Sequence, residues 1–226
     1  MKNHYAENFD KYHLSRGADR IDSGGYSSRM KFGMIAFFCL LSIVGNLATS
    51  FLASALHVPI FLDTIFTVAI TFYAGLVPGL IVAVLHNPIK TFIRSVIYGT
   101  SLFYFGSLYA VCGMLIALST WIFSRNKKDF FFNRTVTVLY LLIIVFVSSF
   151  LSCFSASALD TFVRPLLDDS LRFFPIDIFS IPFQKLKFGM FLSYLLPRIP
   201  ITVLDRLICT FSGFGLYRLV ERRISC

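Results

Sequence analysis

The chain has 226 residues, of which 56% are hydrophobic and 15% charged, with a net charge of +9. A soluble domain of this length carries about a quarter charged residues, so the composition excludes an ordinary water-soluble domain, and the mean hydropathy of +0.73 points to a polytopic membrane protein. The positive charge lies mostly between apolar runs, which is the pattern of membrane topology rather than of nucleic-acid binding.

Residues 1–31 form a polar tail with six Lys/Arg and no apolar core or cleavage site of a secretory signal. A spanning helix needs roughly 20 apolar residues, and the runs that follow supply six. The first is expected over 32–56 and the second over 59–74, followed by a turn at Gly75-Leu-Val-Pro78-Gly79. The third covers 80–98, interrupted by Pro88, the fourth 101–123 and the fifth 135–159. The last apolar stretch, 188–219, is broken by "LPRIP", so its spanning part is expected to begin near Ile201. Residues 160–187 interleave apolar and charged residues with Pro165, Pro175 and Pro182, which reads as a hairpin or short amphipathic helix on the outer interface, a lid or a plain connector. The expected class is therefore an all-α integral membrane protein, with a tail at 1–31, a six-helix domain at 32–222 and a long outer segment at about 160–200. The tail, the loop with Arg125, Lys127, Lys128 and Arg134, and the end with Arg218, Arg222 and Arg223 fall on one side. By the positive-inside rule that side, with both termini, is cytoplasmic.

Ionisable residues inside spans face the bundle or an aqueous cavity. Here they gather in the outer half: Asp63 near the start of the second helix, His86, Asn87, Lys90 and Arg94 on the third, and Asp205 and Arg206 at the start of the last. His86, Lys90 and Arg94 recur at four-residue spacing and so share a face. Asn46 lies in the middle of the first helix, and Tyr104 and Tyr109 in the outer half of the fourth. A substrate cavity is expected to be lined by Asn46, Asp63, Asn87, Lys90, Arg94 and Asp205, with Tyr104 stacking on a polar heterocycle. The same residues also admit a purely structural reading, with Asp63 paired to Lys90 and Asp205 to Arg206 or Arg94. Gly45, Thr49 and Ala53 form a small-residue stripe on the first helix, suited either to internal packing or to docking another membrane subunit.

No metal-hydrolase, nucleophile-elbow or nucleotide-binding motif is present, and no Ser/His/Asp set stands out by spacing. Of the five Cys, four lie in apolar runs and none forms a CxxC pair, so they read as packing residues. An enzyme, a cofactor and a metal site are therefore not expected.

"HVPIFLDTIFTVAITFYAGLVPGLIVAVLHN" resembles the first three helices of the substrate-binding S components of energy-coupling factor (ECF) transporters, in which a proline, an apolar pair and an Asp open the second helix, and a Gly/Pro turn and an Asn follow. "RIPITVLDRLICTFSGFGLYRLV" is similar to that family's last helix, with its proline-led turn and Asp-Arg pair. The resemblance spans about residues 32–222, although its two motif stretches cover far less. It implies a bacterial or archaeal cytoplasmic-membrane subunit that captures a vitamin-like small molecule at the outer face. Such a subunit associates with a transmembrane coupling subunit and two cytoplasmic ATPase subunits, and the resemblance assigns docking to Gly45, Thr49 and Ala53. The long tail, the long segment before the last helix and the shifted proline in "GLVPG" depart from the family, and the Met-x-His start of its cobalt and nickel members is absent. The alternative is a membrane sensor module that passes a small-molecule signal to a partner protein.

Overall fold

A computed structural model of the protein describes residues 28–55, 60–98, 103–167, 177–187 and 189–224. Most of the polar tail, the expected turn at 57–59, the turn at Gly99, residues 168–176 and the side chain of Tyr104 lie outside the described residues. The chain divides into a unit of residues 1–36 and one of residues 37–226. Among the described residues the first contains only the start of a helix, and the second is a helix bundle.

The helices are α1 (Ser28–Ala55), α2 (Ile65–Ala74), α3 (Leu76–Tyr98), α4 (Phe103–Leu108), α5 (Ala110–Ser124), α6 (Lys127–Phe130), α7 (Arg134–Ala158), α8 (Asp177–Lys185) and α9 (Met190–Ile224). There is no strand among the described residues. Among the described residues five helical stretches are long and apolar enough to cross a membrane: Phe32–Ala55, Leu76–Ile97, Phe105–Ser124, Arg134–Leu166 and Met190–Arg223. The expected second span differs. Only Ile65–Ala74 is helical there, and at about 1.5 Å per residue ten residues reach about 15 Å, half the hydrocarbon thickness. The preceding residues, 60–64, are non-helical.

Prolines and glycines act differently from their sequence reading. The turn between α2 and α3 is Gly75 alone, at φ 90°, a conformation that glycine adopts without the Cβ penalty. Pro78 sits in the first turn of α3, where its missing N–H would have had no helical partner in any case. The expected fourth helix is in two pieces, α4 and α5, with Tyr109 between them. The "LPRIP" sequence does not end a helix: α9 runs unbroken through Pro197 and Pro200, so it begins at Met190 rather than near Ile201. Likewise α7 continues past Ala158 through a π-helical turn, Leu159–Val163, and a 3-10 turn, Arg164–Leu167. The outer segment expected at 160–200 is therefore helix at both ends, and Asp160, Arg164 and Arg198 belong to membrane helices.

The polarity of the bundle is inverted relative to a soluble fold. On α9, Arg198, Thr202, Asp205, Arg206, Cys209 and Thr210 are buried while Leu192, Leu196, Ile199, Leu204 and Leu207 are exposed. On α7, Ser148, Ser149, Ser152, Ser157 and Asp160 are buried while Phe146, Phe150 and Phe154 stand outside at four-residue spacing. Water would reverse both faces; a hydrocarbon solvent favours them, because polar groups then find partners only inside. The main interior packing is α9 against α7 and α2, and α5 against α3 and α7. At Gly213 α9 approaches α2 so closely that a Cβ would lie 2.7 Å from the Ile65 carbonyl oxygen.

One end of the bundle is closed by aromatic rings. Phe72 at the end of α2, Phe130 of α6, Leu141 and Ile144 of α7 and Tyr217 of α9 form a buried cluster, packed on by Phe131, Tyr140 and Phe214. The Lys127 ammonium donates to the Phe72 carbonyl at 2.9 Å and lies 5.0 Å from the Tyr217 ring centre. A cation there satisfies a C-terminal carbonyl of α2 and meets ring faces at the same time. Burial pushes the Lys127 ammonium below its ordinary value, with Glu221 opposing.

Candidate functional site

The non-helical stretch 60–64 sets the first site. Backbone without helical partners is tolerated at membrane depth only where protein or water satisfies it. Here two side chains from two other helices satisfy it, and a third caps the helix that follows. Asp205 Oδ1 accepts from the N–H groups of Phe61 at 2.9 Å and Leu62 at 2.8 Å. Thr49 Oγ1 donates to the Leu62 carbonyl at 2.5 Å. Asn46, fully buried on α1, accepts from Phe66 N–H at 2.9 Å and donates to Thr67 Oγ1 at 2.8 Å. Asn46 thus acts as a cap supplied from another helix, since the first N–H groups of a helix lack internal acceptors. Leu62 carries a φ of 46°, uncommon for a residue with a branched side chain, and both of its backbone polar groups are held.

Around this stretch lies a network of charges. Lys90 Nζ is 2.8 Å from Asp63 Oδ2, and His86 Nε2 is 4.0 Å from the same oxygen. Arg206 reaches Asp205 Oδ2 at 2.5 Å and Asp63 Oδ1 at 3.8 Å, and it donates to Thr64 Oγ1. Two acidic side chains thus face two basic ones, a balance that low dielectric demands. His86 is 2% exposed, and neither ring nitrogen has a hydrogen-bond partner among the described residues.

A second network lies where α7 passes into its π-helical turn, beside the two prolines of α9. Asp160, on the π-helical turn, takes Arg198 Nη2 on Oδ2 at 2.6 Å and the Tyr109 hydroxyl on Oδ1 at 2.6 Å. Arg198 stands between Pro197 and Pro200, each of which removes one rung of the helical ladder. Arg164 Nη1 lies 3.5 Å from the Tyr194 hydroxyl. Cys112 of α5 donates its thiol to the Ser152 carbonyl at 3.7 Å. The two networks share α9, where Arg198 stands seven residues before Asp205. Outside them, a groove of about 320 Å³ opens between Val111 of α5 and Phe154, Leu159 and Phe162 of α7. Its walls are apolar, as a lipid-facing surface requires.

The structure brings Asp63, Lys90 and Asp205 together, along with His86 and Arg206. Asn46 adjoins them through α2, but its amide is committed to that helix. Arg94 is set apart and donates to Ser54 Oγ at 2.6 Å. Asn87 is half-buried beside His86, and the Tyr104 side chain lies outside the described residues. The stripe of Gly45, Thr49 and Ala53 faces inward: a Cβ on Gly45 would meet the Phe66 ring at 2.7 Å, Thr49 holds Leu62, and Ala53 is buried. In this chain those three residues pack against the bundle's own interior, and the face of α1 left exposed is Phe37, Leu40, Leu41, Val44 and Leu52.

Sequence reasoning missed Asp160 and Arg198 as partners. The available signal was the polar spacing on an otherwise apolar helix, Ser149, Ser152/Cys153, Ala156/Ser157 and Asp160, which continues one face. Among the described residues no group of three His, Cys, Asp or Glu is placed to hold a metal ion. No protein-family model, no curated protein and no solved structure matches this chain.

Proposed function

We propose that this protein is the substrate-binding membrane subunit of an ECF-type importer, capturing a vitamin-like small molecule. The observation that carries the reading is the short second helix, a non-helical stretch at 60–64 followed by the ten-residue α2, held inside an apolar bundle beside five ionisable side chains. Solute transporters place substrate sites where irregular backbone and helix ends meet buried charge inside the membrane. A bundle needing stability alone is served as well by apolar side chains as by buried ion pairs, so charges retained at this depth are a mark of function.

The basic segments support an orientation. Lys127 packs on Phe72 and Tyr217, and Arg218 on the Phe131 ring, so the loop after α5 and the end of α9 share one end of the bundle. In this reading that end is cytoplasmic and the charged networks face outward. A transmembrane coupling subunit and two cytoplasmic ATPases supply the energy. The test is purification of the tagged full chain in mild detergent from its native membranes, followed by quantitative mass spectrometry and an ATPase assay. The expected result is one coupling subunit and a pair of ATPases per chain, with ATP hydrolysis. Recovery of the chain without an ATPase pair overturns the proposal.

A further inference from the structure

We infer that the solute is held at the Asp160–Arg198–Tyr109 network, and that Arg198 there binds a hydrogen-bond acceptor group of the solute, a carboxylate or ring carbonyl. This inference rests on the solute-binding reading above and assigns it a place and a chemistry. Most of the first network is committed to the protein itself: Asp205 and Asn46 hold backbone, Lys90 is paired with Asp63, and Arg206 spans Asp63, Thr64 and Asp205, which leaves the His86 ring nitrogens and Arg206 Nε without hydrogen-bond partners there among the described residues. The second has a different inventory. Arg198 is 5% exposed and uses Nη2 on Asp160, but its Nη1 has no hydrogen-bond partner among the described residues. The buried hydroxyls of Ser157, three residues before Asp160, and of Thr161, the residue after it, have none either among the described residues.

These unmet groups have one thing in common: each can donate. A guanidinium has no lone pair to offer, and a hydroxyl has one proton to give. Burying such donors without acceptors is costly, so the set calls for an acceptor-rich guest. A guanidinium with one nitrogen engaged still presents a planar N–H pair toward a carboxylate or carbonyl oxygen. The backbone supports the same place. A π-helical turn in α7 and a proline pair in α9 face each other across the Asp160–Arg198 bond, and π-turns concentrate at functional sites.

The experiment is native mass spectrometry of the full chain, purified in detergent after expression in rich medium, with release and identification of any retained molecule. Three proteins are compared: wild type, Arg198→Lys and Ser157→Ala. Arg198→Lys keeps the charge but loses the fork. Ser157→Ala removes a hydroxyl that has no hydrogen-bond partner among the described residues, so it is expected to fold as wild type does. Wild type is expected to retain one molecule bearing a carboxylate or ring carbonyl. Retention is expected to fall about tenfold or more in Arg198→Lys, and measurably in Ser157→Ala. A retained molecule with no such acceptor, or retention unchanged in both variants, overturns the Arg198 site and leaves the solute-binding reading standing. A wild-type protein that retains nothing overturns both.

Discussion

Replacing Asp205 tests whether side chains from distant helices hold the unwound stretch. Asp205→Ala removes two acceptor contacts to backbone amides, at 2.9 and 2.8 Å, and the 2.5 Å contact with Arg206. Losing one partner of a buried ion pair costs about 3–5 kcal/mol. Arg206 keeps Thr64 and a 3.8 Å approach to Asp63, so the lower figure applies. Each amide adds about 1 kcal/mol, between the ~0.6 average for hydrogen bonds inside membranes and the 1–3 of a fully orphaned buried donor. The sum for Asp205→Ala is about 5 kcal/mol. Asp205→Asn keeps a carbonyl oxygen for the two amides and loses only the ion pair, about 3 kcal/mol. The assay is unfolding of the purified protein by SDS titration in mixed micelles, followed by circular dichroism. The expected outcome is a gap of about 2 kcal/mol between Ala and Asn. Two variants equally destabilised would refute the backbone clamp, and two variants within ~1 kcal/mol of wild type would refute the ion pair as well.

Thr49→Val, nearly the same shape, loses the 2.5 Å bond to the Leu62 carbonyl and should cost about 1 kcal/mol in the same titration. Asn46→Ala should cost about 2–3 kcal/mol, because a helix cap and a buried side-chain bond go together. Gly213→Ala should cost about 1–3 kcal/mol, since its Cβ would press on the Ile65 carbonyl, whereas Gly33→Ala, with open space around it, should not. Lys127 predicts a pH dependence. Burial lowers its folded-state value below 10.5, so in the window between the two values the unfolded chain holds more protons and stability rises with pH. The thermal midpoint of wild type should therefore gain on that of Lys127→Met as pH is raised toward 10.5; parallel curves would exclude the effect.

The apolar runs were legible because about 20 consecutive apolar residues have few other uses, and the Asp63–Lys90 pairing because two opposite charges at one depth must neutralise each other. What failed to show was everything governed by tertiary satisfaction. Residues 60–64 are as apolar as a helix, and nothing local says that Asp205, some 140 positions away, will hold them open. "LPRIP" reads as a break by the rules of isolated helices, yet Pro197 and Pro200 stay within α9, because neighbouring helices inside a membrane can satisfy freed backbone groups. That reading moved Arg198 out to a loop, and ending the fifth span at 159 did the same for Asp160; together they hid the pairing. The small-residue stripe on α1 shows the converse: spacing reveals that a close approach exists, not which surface approaches.

The inward polar face of α9 has a consequence for how the chain enters a membrane. Arg198, Asp205 and Arg206 lie on one helix, and each charged residue near a bilayer centre adds about 2.5–3.5 kcal/mol to the insertion of a solitary segment. A helix with that load partitions poorly by itself. Its counterparts, Asp63 before α2, Thr64 and Asp160 after α7, all precede it in the chain. They are already at the translocation site when α9 emerges, so the last helix is admitted by the polar groove the earlier ones have built, and its biogenesis depends on theirs.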